Sequence, residues 1–168
     1  LEQTARGLGY TAALLQAVEA VNFRQKDLLF KKVLVYFGGD LQGRTLALWG
    51  RSFKPNTDDM RDAPSIDIAE SVNKAGAKVL GYDPVAMDVA RPILPAVEFF
   101  DDPYKMAKNC DALIVVTEWN EFKQLDLEKL KDLMKKPVIF DGRNIYDPKT
   151  MKTMGFAYRG VGRGYDVE

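Results

Sequence analysis

The stretch that decides the fold runs from Thr45 to Pro84 and reads TLALWGRSFKPNTDDMRDAPSIDIAESVNKAGAKVLGYDP. It opens on a five-residue apolar run, Thr45 to Trp49, and passes through a polar loop that contains Pro55. From Pro64, which suits an opening helical turn, Ile68, Ala69, Val72 and Ala75 recur at helical spacing, and Gly76 follows the end. A second apolar run, Lys78 to Tyr82, comes next. Two short apolar runs separated by an amphipathic helix predict two parallel strands joined by a crossover.

The alternation continues to the end of the chain. Further strands are predicted at Val97 to Phe100, Ala112 to Thr117, Val138 to Phe140 and Phe156 to Arg159, with helices at Pro84 to Ala90, Pro103 to Lys108, Leu127 to Met134 and Pro148 to Met154. Upstream, Leu14, Leu15, Val18, Val21, Leu28, Leu29 and Val33 form a helical stripe from Tyr10 to about Phe37, ended by Gly38-Gly39-Asp40. Such a helix spans ~40 Å, longer than a small domain can bury by itself. The expected architecture is α/β: a Rossmann-like parallel sheet flanked by helices and preceded by one long α-helix. The division falls near Gly43, into residues 1–42 and residues 43–168.

Composition narrows the function classes. With 24 Lys and Arg against 24 Asp and Glu, the 168 residues carry no field of one sign, so no nucleic-acid partner is expected. No segment has the roughly 20 apolar residues that cross a bilayer, and LEQTARGLGY lacks the apolar stretch of a signal peptide; no membrane association and a cytoplasmic location are expected. The absence of histidine excludes a Ser-His-Asp triad and a histidine-rich zinc site, and no metal is expected. Cys110 is the only thiol; without an activating histidine or helix start it reads as packed rather than nucleophilic.

In an open parallel sheet, ligands bind beyond the carboxyl ends of the strands. There the chain places GRSFKPNTDDMRDAP (50–64), Asp83-Pro84, Thr117-Glu118-Trp119 and Asp141-Gly142-Arg143-Asn144. Lys54, Arg61 and Arg143 could together grip a pyrophosphate and a ribose; Lys54 and Arg61 could equally pair with Asp58 and Asp59 in a surface loop. Of the glycines that a dinucleotide needs at the first turn only Gly50 is present, so the sheet's own ligand is not expected to be NAD. Asp83 stands where a ribose-binding acid would stand, and Asp-Pro is also an ordinary turn opening. Trp119 and Phe122 could stack on a base or pack the following helix. A receiver-like signalling module would need a lysine after the fifth strand, where this chain has Asp141-Gly142-Arg143.

FKPNTDDMRDAPS (53–65), GYDPVAM (81–87), DALIVVTEWNEF (111–122) and VIFDGRNIYDP (138–148) resemble, in order and spacing, UDP-glucose 6-dehydrogenases of the UDP-glucose/GDP-mannose dehydrogenase family. The resemblance runs from about Tyr10 to Gly164. It implies a three-part, NAD-dependent enzyme in which an N-terminal domain binds NAD, a central helical region carries the catalytic cysteine and forms a homodimer, and a C-terminal domain grips the UDP of UDP-glucose. This chain resembles the last part, with its long helix resembling the end of the central region.

By the same resemblance, Phe53 and Lys54 contact the nucleotide sugar, Arg143 reaches the same ligand, and Arg61 reaches across to NAD on the other domain. Nothing here corresponds to the family's catalytic cysteine motif, so no catalytic residue is expected and the isolated chain should bind without oxidising. GDP-mannose and UDP-N-acetylmannosamine dehydrogenases share the fold and are the alternative substrates' enzymes. The family shows Gly-Leu-Ala or Gly-Leu-Ser before its Phe-Lys pair, whereas this chain has Gly50-Arg51-Ser52, and Arg51 could point outward or crowd the nucleotide.

Overall fold

The computed structural model describes residues 2–52 and 54–163. Six strands, β1 (Thr45–Trp49), β2 (Lys78–Tyr82), β3 (Glu98–Phe99), β4 (Ala112–Val115), β5 (Val138–Asp141) and β6 (Ala157–Gly160), form one parallel sheet in the order β3-β2-β1-β4-β5-β6. That is the doubly wound order, with the topological switch between β1 and β4. The helices are α1 (Glu2–Gly7), α2 (Ala13–Tyr36), α3 (Pro64–Lys74), α4 (Met87–Ile93), α5 (Pro103–Ala107), α6 (Asn120–Lys123), α7 (Leu127–Leu133) and α8 (Pro148–Thr153).

Because successive strand residues face opposite sides, each strand feeds two cores. Leu46 and Leu48 of β1 join Val79, Ile114 and Phe140 on one face, while Ala47 and Trp49 join Leu80, Val115 and Ile139 on the other. Helices α3 and α4 cover the first face through Ile68, Val72 and Ala90; Met106, Phe122, Leu130 and Met151 cover the second from α5 to α8. Removing each large side chain from water stabilises the fold by ~1.5–3 kcal/mol. Aspartates 102, 126 and 147 cap α5, α7 and α8, each carboxylate accepting a backbone N–H of the first turn.

The crossovers leave the first face of β4 and β5 without a helix of their own, and α2 fills it. Leu29, Val33 and Phe37 at its C-terminal end pack with Ile114, Phe140 and Val138, and the ring of Tyr36 meets Phe140 edge-on at 5.6 Å. Its N-terminal half does not share this burial: Leu14 is 78% exposed, Phe23 71%, and Val18 and Val21 are also open. The long apolar stripe thus outruns the surface that the described residues supply to cover it.

Boundaries differ from the sequence expectation where local chemistry intervenes. The long helix begins at Ala13 rather than Tyr10, since Gly9 at φ 73° turns the chain between α1 and α2. The helix expected at Pro84 to Ala90 lies at Met87–Ile93, because the Asp83 carboxylate accepts from the amides of Val85 and Ala86 and holds them in a turn. The third strand shortens to Glu98–Phe99, pairing with Leu80 and Gly81 at the sheet edge. The single turn α6 and the six-residue α1 carry too little periodicity to be read from sequence.

Candidate functional site

The carboxyl ends of the strands open onto a cavity of about 690 Å³ roofed by α2. Its floor is made by Val116 after β4, Gly142 and Arg143 after β5, Val161 after β6, and Asp62 and Pro64 at the approach to α3. Glu19, Asn22, Phe23 and Lys26, one helical face of α2, line the other side. Close approach of α2 depends on Gly142: a Cβ there would come within 2.7 Å of Leu29 Cδ2.

Arg143 stands on the wall between this cavity and a second, of about 390 Å³, which adds Glu118, Lys123 and Asn144. Its Nη2 donates to Glu118 Oε1 at 2.7 Å and its Nε to Oε2, a two-pronged pair between the ends of neighbouring strands. The pair holds the Glu118 carboxyl below the usual carboxylate range and raises the guanidinium. The turn carrying Arg143 is fixed from beneath by the buried Asp141, which accepts from Arg143 N at 3.0 Å, Tyr146 N at 3.2 Å and Tyr158 Oη at 2.8 Å. Burial and that carboxylate push the Tyr158 hydroxyl well up, so it stays a donor.

The three cations of the strand ends do not line one cleft. Arg61 is exposed and forks onto Asp59 at 3.0 and 2.8 Å, the loop pairing that the sequence offered as an alternative to ligand binding. Asp59 is thereby drawn down to about 2, with Lys54 adding to the pull. Arg61 borders a separate cavity of about 450 Å³ with Val89 and Ile93, and Asp62 lies on both sides of the divide. Lys54 is exposed. Phe53 lies outside the described residues.

Arg51 follows neither sequence expectation. It points neither outward nor toward a nucleotide but into the sheet, fully buried, with its guanidinium 4.7 Å from the Phe99 ring and packed over Gly81. None of the described residues accepts a hydrogen bond from its three side-chain nitrogens. Burial lowers its pKa from 12.5 to about 10, opposed by the nearby Asp83.

The backbone beside Arg51 is pinned. Gly50 sits at φ 80°, and a Cβ there would strike Thr117 Cβ at 2.5 Å. Arg51 N donates to Asp83 Oδ2 at 2.6 Å, Ser65 Oγ to Arg51 O at 2.5 Å, and Thr117 Oγ1 to Ser52 O at 2.7 Å. Asp83 is therefore more than a turn opener. The sequence offered Asp83 as a ribose-binding acid or a turn opener, and placed Glu118 and Asp141 at strand ends without assigning either a role.

The remaining candidates are structural. Cys110 is buried, its Sγ–H donates to Met106 O, and burial with Asp111 pushes the thiol up to about 12. Phe122 stacks on Trp49 at 4.9 Å, and the Trp119 indole is buried, donating to Asp83. Among the described residues no helix is long and apolar enough to cross a membrane.

Sheet order, switch point and strand-end cavity define a doubly wound α/β domain of the nucleotide-binding class. Residues 47–148 match the UDP-binding domain of the UDP-glucose/GDP-mannose dehydrogenase family, and the chain belongs to that family. It is 45% identical over 169 residues to a UDP-glucose 6-dehydrogenase of Pseudomonas aeruginosa, covering 97% of this chain and 37% of that protein. A UDP-glucose 6-dehydrogenase of Rhizobium meliloti is 42% identical, with the same coverages. Among solved structures, a UDP-glucose dehydrogenase from the hyperthermophilic archaeon Pyrobaculum islandicum superposes with a TM-score of 0.78 at 29% identity, covering 95% of this chain and 34% of that one. The chain spans about 37% of the length of these curated relatives.

Proposed function

We propose that the chain holds the UDP group of UDP-glucose for an NAD-dependent oxidation to UDP-glucuronate carried out with parts of a longer enzyme. The observation that carries this reading is the 690 Å³ cavity at the strand ends, bordered by Arg143, in a chain of the UDP-binding family. A guanidinium offers the fork that a diphosphate requires, and α2 with Phe23 closes the opposite side. Lys54, on the loop after β1, contacts the nucleotide sugar, and Phe53 is assigned the same contact by family resemblance. Binding energy from the remote UDP orients the sugar's C6 for chemistry done elsewhere.

NAD does not fit this chain's own first turn. Arg51 and Ser52 follow Gly50 there with their amides taken up by Asp83, and α3 does not begin until Pro64, so the glycine-rich turn leading straight into a helix that a dinucleotide pyrophosphate needs is not formed. NAD belongs to another domain, toward which the exposed Arg61 extends after leaving Asp59. Residues 1–42 form the end of a central region and residues 43–168 the UDP-binding part. The open stripe Leu14, Val18 and Val21 on α2 supports a homodimer through this helix in a cytoplasmic enzyme.

Calorimetric titration with UDP tests the reading. Binding in the high micromolar to millimolar range, weaker for GDP and weakened at least tenfold by Arg143→Ala, is expected, with no NADH formed from UDP-glucose and NAD. Absence of heat with UDP, or tighter binding of GDP, would sink it.

A further inference from the structure

We infer that Asp83 is the positioning residue of the proposed UDP site, a buried carboxylate that ties three strand-end loops into one body. The inference rests on the UDP reading above and adds a residue that does not itself touch ligand. Oδ1 accepts from Val85 N at 2.9 Å and Ala86 N at 2.8 Å, the turn after β2. Oδ2 looks the other way, accepting from Arg51 N at 2.6 Å and Ser52 N at 3.4 Å in the loop after β1, and from Trp119 Nε1 at 3.3 Å in the turn after β4.

A turn-opening aspartate needs only the first oxygen; the second is engaged entirely by partners more than thirty residues away in sequence. Lys54 lies two residues beyond Ser52, and Glu118, which grips Arg143, adjoins Trp119. One carboxylate thus sets the place of the lysine loop and, through Trp119, of the glutamate that orients Arg143. An amide cannot replace it. Asparagine has a single acceptor oxygen, so whichever way it turns, its NH2 confronts the N–H donors of one set.

The test combines amide hydrogen exchange with UDP titration on the 168-residue chain, well below its melting temperature. Asp83→Asn is expected to speed exchange at Arg51 and Ser52 selectively, to move the Trp119 indole resonance, and to weaken UDP about tenfold while the central strands stay protected. Unchanged loop exchange and unchanged affinity in a folded variant would overturn the inference, as would faster exchange spread evenly over the sheet with UDP affinity intact. If wild type fails to bind UDP, the functional reading falls, while the exchange pattern still decides the positioning role.

If Asp83→Asn does not fold, Trp119→Phe decides, since it keeps an aromatic ring in the core while removing the indole N–H together with its five-membered ring. A loss of UDP affinity of about threefold with faster exchange at Glu118 is expected; wild-type values for both would overturn the role.

Discussion

Gly81→Ala and Arg51→Leu should be strongly coupled. A Cβ built on Gly81 would lie 1.6 Å from Arg51 Nη2 and within 2.6 Å of Cζ and Nε, with no nearer obstacle. Leucine at position 51 ends at its δ carbons, before those atoms. The buried guanidinium is itself costly. Its pKa falls from 12.5 to about 10, which at 1.36 kcal/mol per tenfold disfavours the charged form by roughly 3 kcal/mol.

The sign follows from the direction: a cation whose folded pKa lies below its unfolded one weakens the fold at every pH below about 10, and the cost fades as pH rises toward 12.5. Contact with Phe99 returns up to ~2 kcal/mol. Arg51→Leu should therefore stabilise at neutral pH by about 1 kcal/mol. Gly81→Ala alone should cost ~2–3 kcal/mol through overpacking, and within ~0.5 kcal/mol of nothing in the leucine background. Urea unfolding followed by circular dichroism gives all four corners of the cycle, with an expected coupling of about 2 kcal/mol. Equal costs of Gly81→Ala in both backgrounds would refute the buried, unpartnered placement of Arg51.

Glu118→Gln should loosen the two-pronged grip that orients Arg143 and weaken UDP several-fold in calorimetry; tighter binding would mean that Glu118 competes for the arginine instead. The Arg143 hydrogen bond depresses the Glu118 pKa below 4.5, so the pair should survive at pH 4.5 and be lost only as pH falls through the lower folded value, visible in the Arg143 Nε–H resonance. Tyr158→Phe removes a donor to buried Asp141 and should cost ~2 kcal/mol in urea unfolding. Val18→Glu should abolish self-association in light scattering if the open stripe of α2 is the contact between copies.

What the sequence disclosed depended on range. The strands and crossovers were legible because alternation and helical spacing are local, and every strand lies within three residues of its expected bounds at either end. The packed placement of Cys110 was legible because the thiol directly precedes a buried strand, away from the strand ends that could form a site. The inward course of Arg51 was not, since it is decided by the bare Cα of Gly81 on the adjoining strand and by the Phe99 ring beyond. Arg143 with Glu118 is similarly nonlocal, 25 residues apart and brought together by neighbouring strand ends. Arg61 with Asp59 was written in the loop itself, two residues apart, though charge alone could not choose that partner over a ligand.

Helix α2 has a mechanical consequence. Its 24 residues, ~36 Å at 1.5 Å each, are embedded in the sheet's core at one end and bare at the other, with no glycine or proline between. Bending at the midpoint would break consecutive backbone hydrogen bonds, so the helix behaves as a stiff strut. Whatever seats on Leu14, Val18 and Val21 is thereby held at a fixed distance and angle from the sheet, and the first break in the helical run on that side is the Gly9 turn that precedes the strut.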